Sequence, residues 1–414
     1  MTKSAEAGPT TPRSVSRRAV LQTLSAAVGV STVGAVGGAP DDYWTVVALP
    51  DTQYSARDER YVRAQNEWIV GNATEERIAF VSHEGDVVQN SDRSVEWAYM
   101  DDAMSILDGE VPYAMLPGDQ DWMADGDRSS SIERYKSDFG PERYRSRDWY
   151  GGSGPTNGDR NRDDLNSYQL FSAGGYEFLH LALEWEAPGT VTDPTTPLGW
   201  AQTVLDQYPD RPTILTTHSY LKVREEARTT VVEEVNGDGN SGEDIWQSLV
   251  SPNPQIFMVL CGHSWRDDGE YHQVSHNEAC GSVYELLANY QGGEKRGQGF
   301  LRRIEFRPGK GESAPDRIQV RTYSPVLDEY RTDDNSEFAF DVDFDTRFGT
   351  SSFATDCSGD ADADGDIDGR DGEVVQQHLA ERNESLDSAA ADIDGDGDVD
   401  IGDAVRIRNK GRGY

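Results

Sequence analysis

Residues 44–53 read Trp44-Thr45-Val46-Val47-Ala48-Leu49-Pro50-Asp51-Thr52-Gln53. A short, almost wholly apolar run predicts a strand buried on both faces, and the proline stops it just before an acid. The arrangement recurs four times. Apolar runs at Ile78–Val81, Val111–Leu116, Thr213–Leu215 and Ile256–Leu260 lead into Gly85-Asp86-Val87-Val88, Pro117-Gly118-Asp119-Gln120-Asp121, Thr217-His218-Ser219 and Cys261-Gly262-His263-Ser264-Trp265. A further run spans Phe178–Leu183. Amphipathic, helix-like stretches lie between several of them, at Arg63–Val70, Val95–Leu107, Gly199–Leu205 and Asp244–Val250. Alternation of this kind predicts an α/β domain.

In α/β folds the loops beyond the carboxyl ends of the strands form the ligand crevice. Each of the five motifs places a carboxylate or an imidazole there, on turns that Gly85, Gly118 and Gly262 make possible. Oxygen and imidazole donors together suit a divalent ion such as Mn²⁺, Fe²⁺ or Zn²⁺. Later, Phe300–Phe306 and Arg317–Tyr323 alternate apolar and polar residues around Pro308-Gly309-Lys310-Gly311, which predicts an antiparallel hairpin. Gly151–Asn166 and Asn236–Asp244 are polar and glycine-rich and predict surface loops or lids.

With all five motifs in order, residues 43–340 resemble the calcineurin-like metallophosphoesterases, and within them the secreted branch that reads "LPDTQ" at the first motif. The resemblance implies a β-sandwich flanked by helices and hydrolysis of a phosphate mono- or diester by metal-activated water, with one or two transition-metal ions. By position, Asp51 matches a ligand of the first metal and Asp86 the bridging aspartate. Asp119 stands at a second-metal ligand that is usually asparagine. His218 and His263 match histidines of that same metal.

The departures fall on the first-metal side. Gln53 and Trp265 stand where the family has metal histidines, and Gln120 where it has a histidine that aids the transition state. A glutamine cannot give a proton to an alkoxide, although its amide can hydrogen-bond a developing oxyanion. Gln120 and His218 are the residues assigned to catalysis, with Asp51, Gln53, Asp86, Asp119, His218 and His263 assigned to metal. Three outcomes stay open: a weakened two-metal site, a one-metal site, or a degenerate scaffold that binds metal or phosphate without turnover. His272 and His276 are either a replacement imidazole or solvent-facing loop residues. His83 and His180 are expected to pack on strands, His378 to be exposed, and Trp44, Trp97 and Trp185 to lie in the core.

The tail changes character. Asp360, Asp362, Asp364, Asp366, Asp368 and Asp371 recur 32 residues on as Asp392, Asp394, Asp396, Asp398, Asp400 and Asp403. Acids at loop positions 1, 3, 5, 9 and 12, with glycine at 6, fit the calcium loop of an EF-hand. Short helices are expected after each loop, at Gly372–Ala380 and Ala404–Arg408. Two loop–helix units resemble a type I dockerin over 358–410, which implies two Ca²⁺ ions and a cohesin-like partner. The positions that read the partner in that family are Gly369-Arg370 and Ile401-Gly402 here, instead of the usual Ser or Thr. The module is therefore also expected to dock within its own chain or at the cell surface.

The chain has 414 residues and a formal net charge of −37. Such charge argues against nucleic acid as a partner, since phosphate contacts need clustered cations. Only six of 38 basic residues are lysine. Acid excess with little lysine is expected of a halophilic surface, because concentrated salt screens self-repulsion. Of the three cysteines, Cys261, Cys280 and Cys357, a Cys261–Cys280 bridge and buried free thiols are both open. Ser16-Arg17-Arg18 before the apolar stretch Val20–Ala39 predicts a twin-arginine signal and export to the cell surface or beyond. Gln22, Thr23 and Ser25 make that stretch a poor permanent membrane span. The expected domains are a signal over 1–39, a catalytic domain over 40–345, a linker over 346–357 and the calcium module over 358–414.

Overall fold

The computed structural model describes residues 43–58, 60–159, 161–309, 315–349, 358–361, 367, 369–380, 386, 388–393 and 397–410. The expected signal peptide lies outside the described residues, as does most of the linker.

Sixteen strands are described, in chain order: β1 (Trp44–Leu49), β2 (Ile78–His83), β3 (Tyr113–Ala114), β4 (Tyr150–Gly154), β5 (Asn166–Ala173), β6 (Tyr176–Leu183), β7 (Thr213–Thr217), β8 (Leu221–Lys222), β9 (Ala227–Arg228), β10 (Ile256–Cys261), β11 (Glu270–His276), β12 (Ser282–Ala288), β13 (Leu301–Arg307), β14 (Arg317–Ser324), β15 (Glu329–Arg331) and β16 (Glu337–Asp341). One sheet runs β15-β14-β13-β1-β2-β3, with β16 also on β14, and the other runs β11-β12-β10-β7-β6-β5-β4. Each sheet has a parallel stretch, β1-β2-β3 and β6-β7-β10-β12, flanked by antiparallel strands. The expected hairpin is β13–β14, in register from Leu301 with Tyr323 to Arg307 with Arg317.

The two sheets stack face to face. In β1, Trp44, Val46 and Ala48 enter the core between the sheets, while Val47 and Leu49 point to the helical layer outside. Two-residue periodicity explains why the whole run is apolar: both faces are dry. The inner core is aromatic, with Trp44 stacked on Phe306 at 5.2 Å and Phe257 against Phe348 at 4.8 Å. Helices α1 (Arg60–Asn72) and α2 (Ser94–Met104) lie in chain order between strands of the first sheet, and α3 (Glu133–Phe139) follows β3. Then come α4 (Pro197–Gln207), and α5 (Gly242–Ile245), which widens into a π-turn over Trp246–Val250. Residues of α1, α2 and α3 share a core with the outer face of the first sheet, and residues of α4 and α5 with that of the second. This is the helix-flanked β-sandwich expected. A last helix, α6 (Phe344–Phe348), sends Phe344 and Phe348 into the inner core, so the domain's packing continues three residues into the stretch expected as linker.

Two expectations need correction. Gly151–Asn166 is not all loop: Gly151–Gly154 belong to the edge strand β4, hydrogen-bonded to β5 and tied by the Asn166 side-chain amide to the Gly154 carbonyl (3.0 Å). Nor do Cys261 and Cys280 pair. Cys261 ends a central strand as a buried free thiol, its Sγ 3.6 Å from the Leu286 carbonyl, whereas Cys280 is disulfide-bonded in the turn before β12. Cys357 lies outside the described residues.

In the tail, α7 (Gly369–Leu379), the four-residue α8 (Ser388–Ala391) and α9 (Ile401–Lys410) enclose a small core of Ala361, Ile367, Val375, Ala391, Ala404 and Ile407. The apolar residue at loop position 8, Ile367 or Val399, joins that core in both copies. No helix among the described residues is long and apolar enough to cross a membrane.

His180 is a fully buried strand residue, as expected. Its Nδ1–H donates to Gln169 Oε1 (2.8 Å) and its Nε2 accepts from Thr216 (2.9 Å). Burial pushes its pKa from 6.5 down to about 3, so the folded state holds it neutral. The unfolded chain binds the proton first, hence this contribution is present above pH 6.5 and is lost as pH falls toward 3. The stability advantage of the native chain over His180→Gln is expected to shrink by about 2 kcal/mol between pH 7 and pH 5. Denaturant unfolding of both proteins at the two pH values measures it, and a pH-independent difference refutes it.

Candidate metal centre

The carboxyl ends of β1, β2, β3, β7 and β10 meet along one edge of the sandwich. They deliver Asp51, Asp86, Asp119, His218 and His263, the five charged ligands assigned from sequence. Two tight approaches make the meeting possible. A Cβ on Gly118 would stand 2.1 Å from Asp86 Oδ1, and one on Gly262 would stand 2.0 Å from Asp51 Oδ2. Asp86 and His263 themselves hold positive φ, 51° and 65°, an uncommon conformation for residues with a Cβ.

His218 is fully buried, and its tautomer is set by a backbone contact. Its Nδ1–H donates to the Glu84 carbonyl (2.8 Å), which turns Nε2 toward Asp119 Oδ1 (3.0 Å) and Asp86 Oδ1 (3.3 Å). His263 Nδ1 stands 3.0 Å from the same Asp119 oxygen and 3.2 Å from His218 Nε2. Its other nitrogen, Nε2, donates to Glu233 Oε2 (3.0 Å). Each imidazole thus has one nitrogen fixed by an acceptor and the other turned into the cluster, as metal-binding histidines do.

Asp51 accepts the His263 backbone N–H on both oxygens (3.1 and 3.2 Å). The Gln53 side-chain N–H donates to Asp86 Oδ2, while Gln53 Oε1 is buried without a partner. Asp121 ties the turns together, accepting from Val87 and Val88 (3.1 Å each) and Gly118 (2.9 Å). The Gln120 backbone N–H donates to Asp86 Oδ1 (3.0 Å), and its side chain lies between Gln89 and Asp119.

The electrostatics calls for positive charge. Burial lifts Asp51 to about 7, against the pull of His218. Burial alone would lower His218 and His263, yet Asp86 and Asp51 raise the first well above its ordinary value, and Asp119 with Glu233 lifts the second to about 10. Burial would likewise raise Asp119, but the two imidazoles hold it well below the carboxylate range.

The residues fit a divalent ion. Two triads of donor atoms gather here: Asp119, His218 and His263, and Asp51, Asp86 and His218. In the first, the atoms lie 3.0–3.2 Å apart, the spacing of neighbouring ligands about an ion at roughly 2.1 Å. The second lacks an imidazole of its own, since His218 Nε2 already serves the first and its Nδ1 is committed to Glu84. What remains on that side is the orphan oxygen of Gln53.

Neither substitute histidine joins the cluster. His272 lies half-buried in β11, stacked on Phe338 at 3.7 Å, and so is neither a ligand of these triads nor a loop residue. His276 ends the same strand. Trp265 is 44 % exposed at the mouth of a cleft of about 580 Å³ whose floor holds Gln53, Asp86, Asp119 and His263. Neither Glu233 nor the Glu84 carbonyl was legible in the sequence as a holder of an imidazole.

In the tail, Asp371 Oδ1 accepts from the Ala361 N–H (2.7 Å), and Asp403 Oδ1 from the Ile393 N–H (3.1 Å). The position-12 carboxylate therefore folds back onto its own loop identically in both copies. Asp360, Asp371 and Asp403 are buried, an arrangement that suits a cation. Asp392, Asp398 and Asp400 are also described, and the remaining six acids assigned to calcium, Asp362, Asp364, Asp366, Asp368, Asp394 and Asp396, lie outside the described residues.

Comparison with known proteins agrees on the tail: residues 358–410 match the dockerin type I domain. The chain carries a dockerin module at its C-terminus. Over 320 residues, 74% of this chain, it is 32% identical to an uncharacterized protein, YvnB, of Bacillus subtilis, and the match spans 22% of that protein's length. Among solved structures it is similar to purple acid phosphatase PPD1 from yellow lupin seeds (12% identity, TM-score 0.45, covering 77% of this chain and 57% of that one). It is also similar to the 5′-nucleotidase of Candida albicans (8% identity, TM-score 0.35, covering 75% and 56%).

Replacing Glu233 by glutamine keeps the shape but removes the charge that steadies His263. Metal affinity of the full chain is expected to fall by about 10- to 100-fold. Competition with a chromogenic chelator measures it, and an unchanged affinity would show that Glu233 plays no part in holding the ligand.

Proposed function

We propose that the chain is an exported, metal-dependent hydrolase of phosphoric esters with a calcium-ordered docking module. The observation that carries the reading is the convergence of Asp119 Oδ1, buried His218 Nε2 and His263 Nδ1, with Asp86 Oδ1 beside them, beneath an open cleft that Asp86, Asp119 and His263 line. The chemistry of that donor set suits Mn²⁺, Fe²⁺ or Zn²⁺. Such an ion supplies Lewis acidity and lowers the pKa of its water.

Asp86, Asp119, His218 and His263 would hold this ion, and Asp51, Asp86 and the Gln53 oxygen a weaker second one. The Glu84 carbonyl and Glu233 keep both imidazoles aimed. Gln120, whose side-chain N–H groups face Asp119 and Asp125, would turn one of them to a phosphoryl oxygen, without serving as a general acid. The hydrogen bond from Gln53 to Asp86 Oδ2 favours a single tight ion, because it engages the oxygen that a second would share. The same contact supports the rival reading of a degenerate scaffold that binds metal or phosphate without turnover.

Hydrolysis of aryl phosphate mono- and diesters, with Mn²⁺ in high salt, separates the two. Turnover is expected in the native chain and to be reduced at least about a hundredfold in His218→Ala and Asp86→Ala. Equal rates in native chain and variants would leave the scaffold reading standing.

Export by the twin-arginine route and an acid surface suited to concentrated salt complete the proposal, along with two calcium ions and a cohesin-like partner for the tail. Addition of a calcium chelator to the full chain is expected to reduce helical circular dichroism and to open 358–410 to protease. Unchanged protection of that segment argues against calcium ordering.

A further inference from the structure

The loop that follows His218 does not return directly to the body of the domain. It forms the short hairpin β8–β9, rooted by buried Tyr220 and Leu221 and clamped by Arg228. Arg228 grips the buried Glu285 with two nitrogens (2.7 and 2.8 Å) and lies 3.8 Å over the Trp246 ring. The hairpin is also tied to the loop after His263, since the Val223 N–H donates to Ser264 Oγ (3.2 Å). Two ligand-bearing loops are thereby joined into one wall of the cleft, lined by Lys222, Arg224, Trp265 and Arg266.

This wall gathers basic residues that are scarce in the chain as a whole. In a protein with nearly two acids for each base, and only six lysines, three cations stand on one side of one cleft. Arg224 is paired with Asp267 (3.2 Å), both more than half exposed. Lys222 and Arg266 form no ion pair among the described residues, and Arg266 lies 5.2 Å over the exposed Trp265 ring. Of the acids on that side, Glu233 bonds His263 and lies within the field of Lys222, and Glu225 is the other. The cleft, about 580 Å³, is far larger than one phosphoryl group requires. Lys222 and Arg266, outside any close ion pair among the described residues and beside an exposed aromatic face, suit an anion attached to something flat.

We propose that this wall is a subsite for a second anionic group. The preferred substrate is then an organic phosphate whose alcohol portion carries a further negative charge next to a planar group that rests on Trp265. The inference rests on the hydrolase reading above for what happens at the metal, but the subsite is tested by binding alone.

Calorimetry on the full chain loaded with Mn²⁺, at one fixed salt concentration, compares phenylphosphonate with 3- and 4-carboxyphenylphosphonate, none of which can be hydrolysed at an ester bond. At least one carboxylated probe is expected to bind about tenfold more tightly than phenylphosphonate. In the double variant Lys222→Glu, Arg266→Glu the ratio is expected to fall to one or below. Its circular dichroism and metal content, matched to the native chain, check that it is folded. Trp265→Ala is expected to weaken all three probes. Equal affinities in the native chain, no binding of any probe, or a preference that survives charge reversal overturns the subsite. A preference seen in a chain that turns over no aryl phosphate keeps the subsite and removes the hydrolase reading.

Discussion

One hydrogen bond holds the candidate site in register. The Glu84 carbonyl belongs to the turn after β2, in one sheet, and His218 to the turn after β7, in the other. Their 2.8 Å contact spans the sandwich at the edge where the ligands collect. It fixes the tautomer of His218 and aims Nε2 at carboxylates from β2 and β3. Just inside, Ser82 and Thr216 meet across the same gap at 2.8 Å. The dry aromatic core sets how the sheets stack, and these polar contacts convert that stacking into a position for one nitrogen. Ligands drawn from both sheets have fixed spacing only because the sheets themselves do.

Legibility in the sequence followed the physics of burial. β1, β2, β7 and β10 are dry on both faces, so each contains a short apolar run and stands out. The strands β4, β5 and β11 are half-wet or at an edge, and β11 carries Glu270, His272, Gln273 and Ser275 among its seven residues. Such a strand has no run to see. The charged candidate ligands were visible because each follows an apolar run within five residues. Glu84 was not, because it acts through a carbonyl that every residue possesses. Nor was Glu233, which reaches His263 across 30 residues of chain from a loop with no periodicity. Cysteine spacing carried no information about pairing, since what decides it is which thiol the strand buries.

The structure also divides the arginines, whose excess over lysine suggested a salt-adapted exterior. Several are interior fittings. Arg347 donates to the carbonyls of Pro254 (3.0 Å) and Ile256 (2.9 Å), and Arg302 reaches Glu270 and the Asn335 carbonyl. Arg228 forks onto Glu285. A rigid planar head with five donors can satisfy several acceptors in a dry place, where an ammonium group would leave some unmet. Composition reflects internal carpentry as well as the solvent outside.

The glycines at the ligand turns bear on how such a site changes over time. The space beside Gly118 is taken by an oxygen of Asp86, and the space beside Gly262 by an oxygen of Asp51. Each ligand therefore occupies the volume that a side chain on a neighbouring motif would need. A side chain cannot be added at one turn without displacing a donor that belongs to another. The centre is thus an interlocked block, in which donors of one motif and the glycine turns of another constrain each other. Transplanting any single motif into another scaffold would carry the residue without the vacancy it fits.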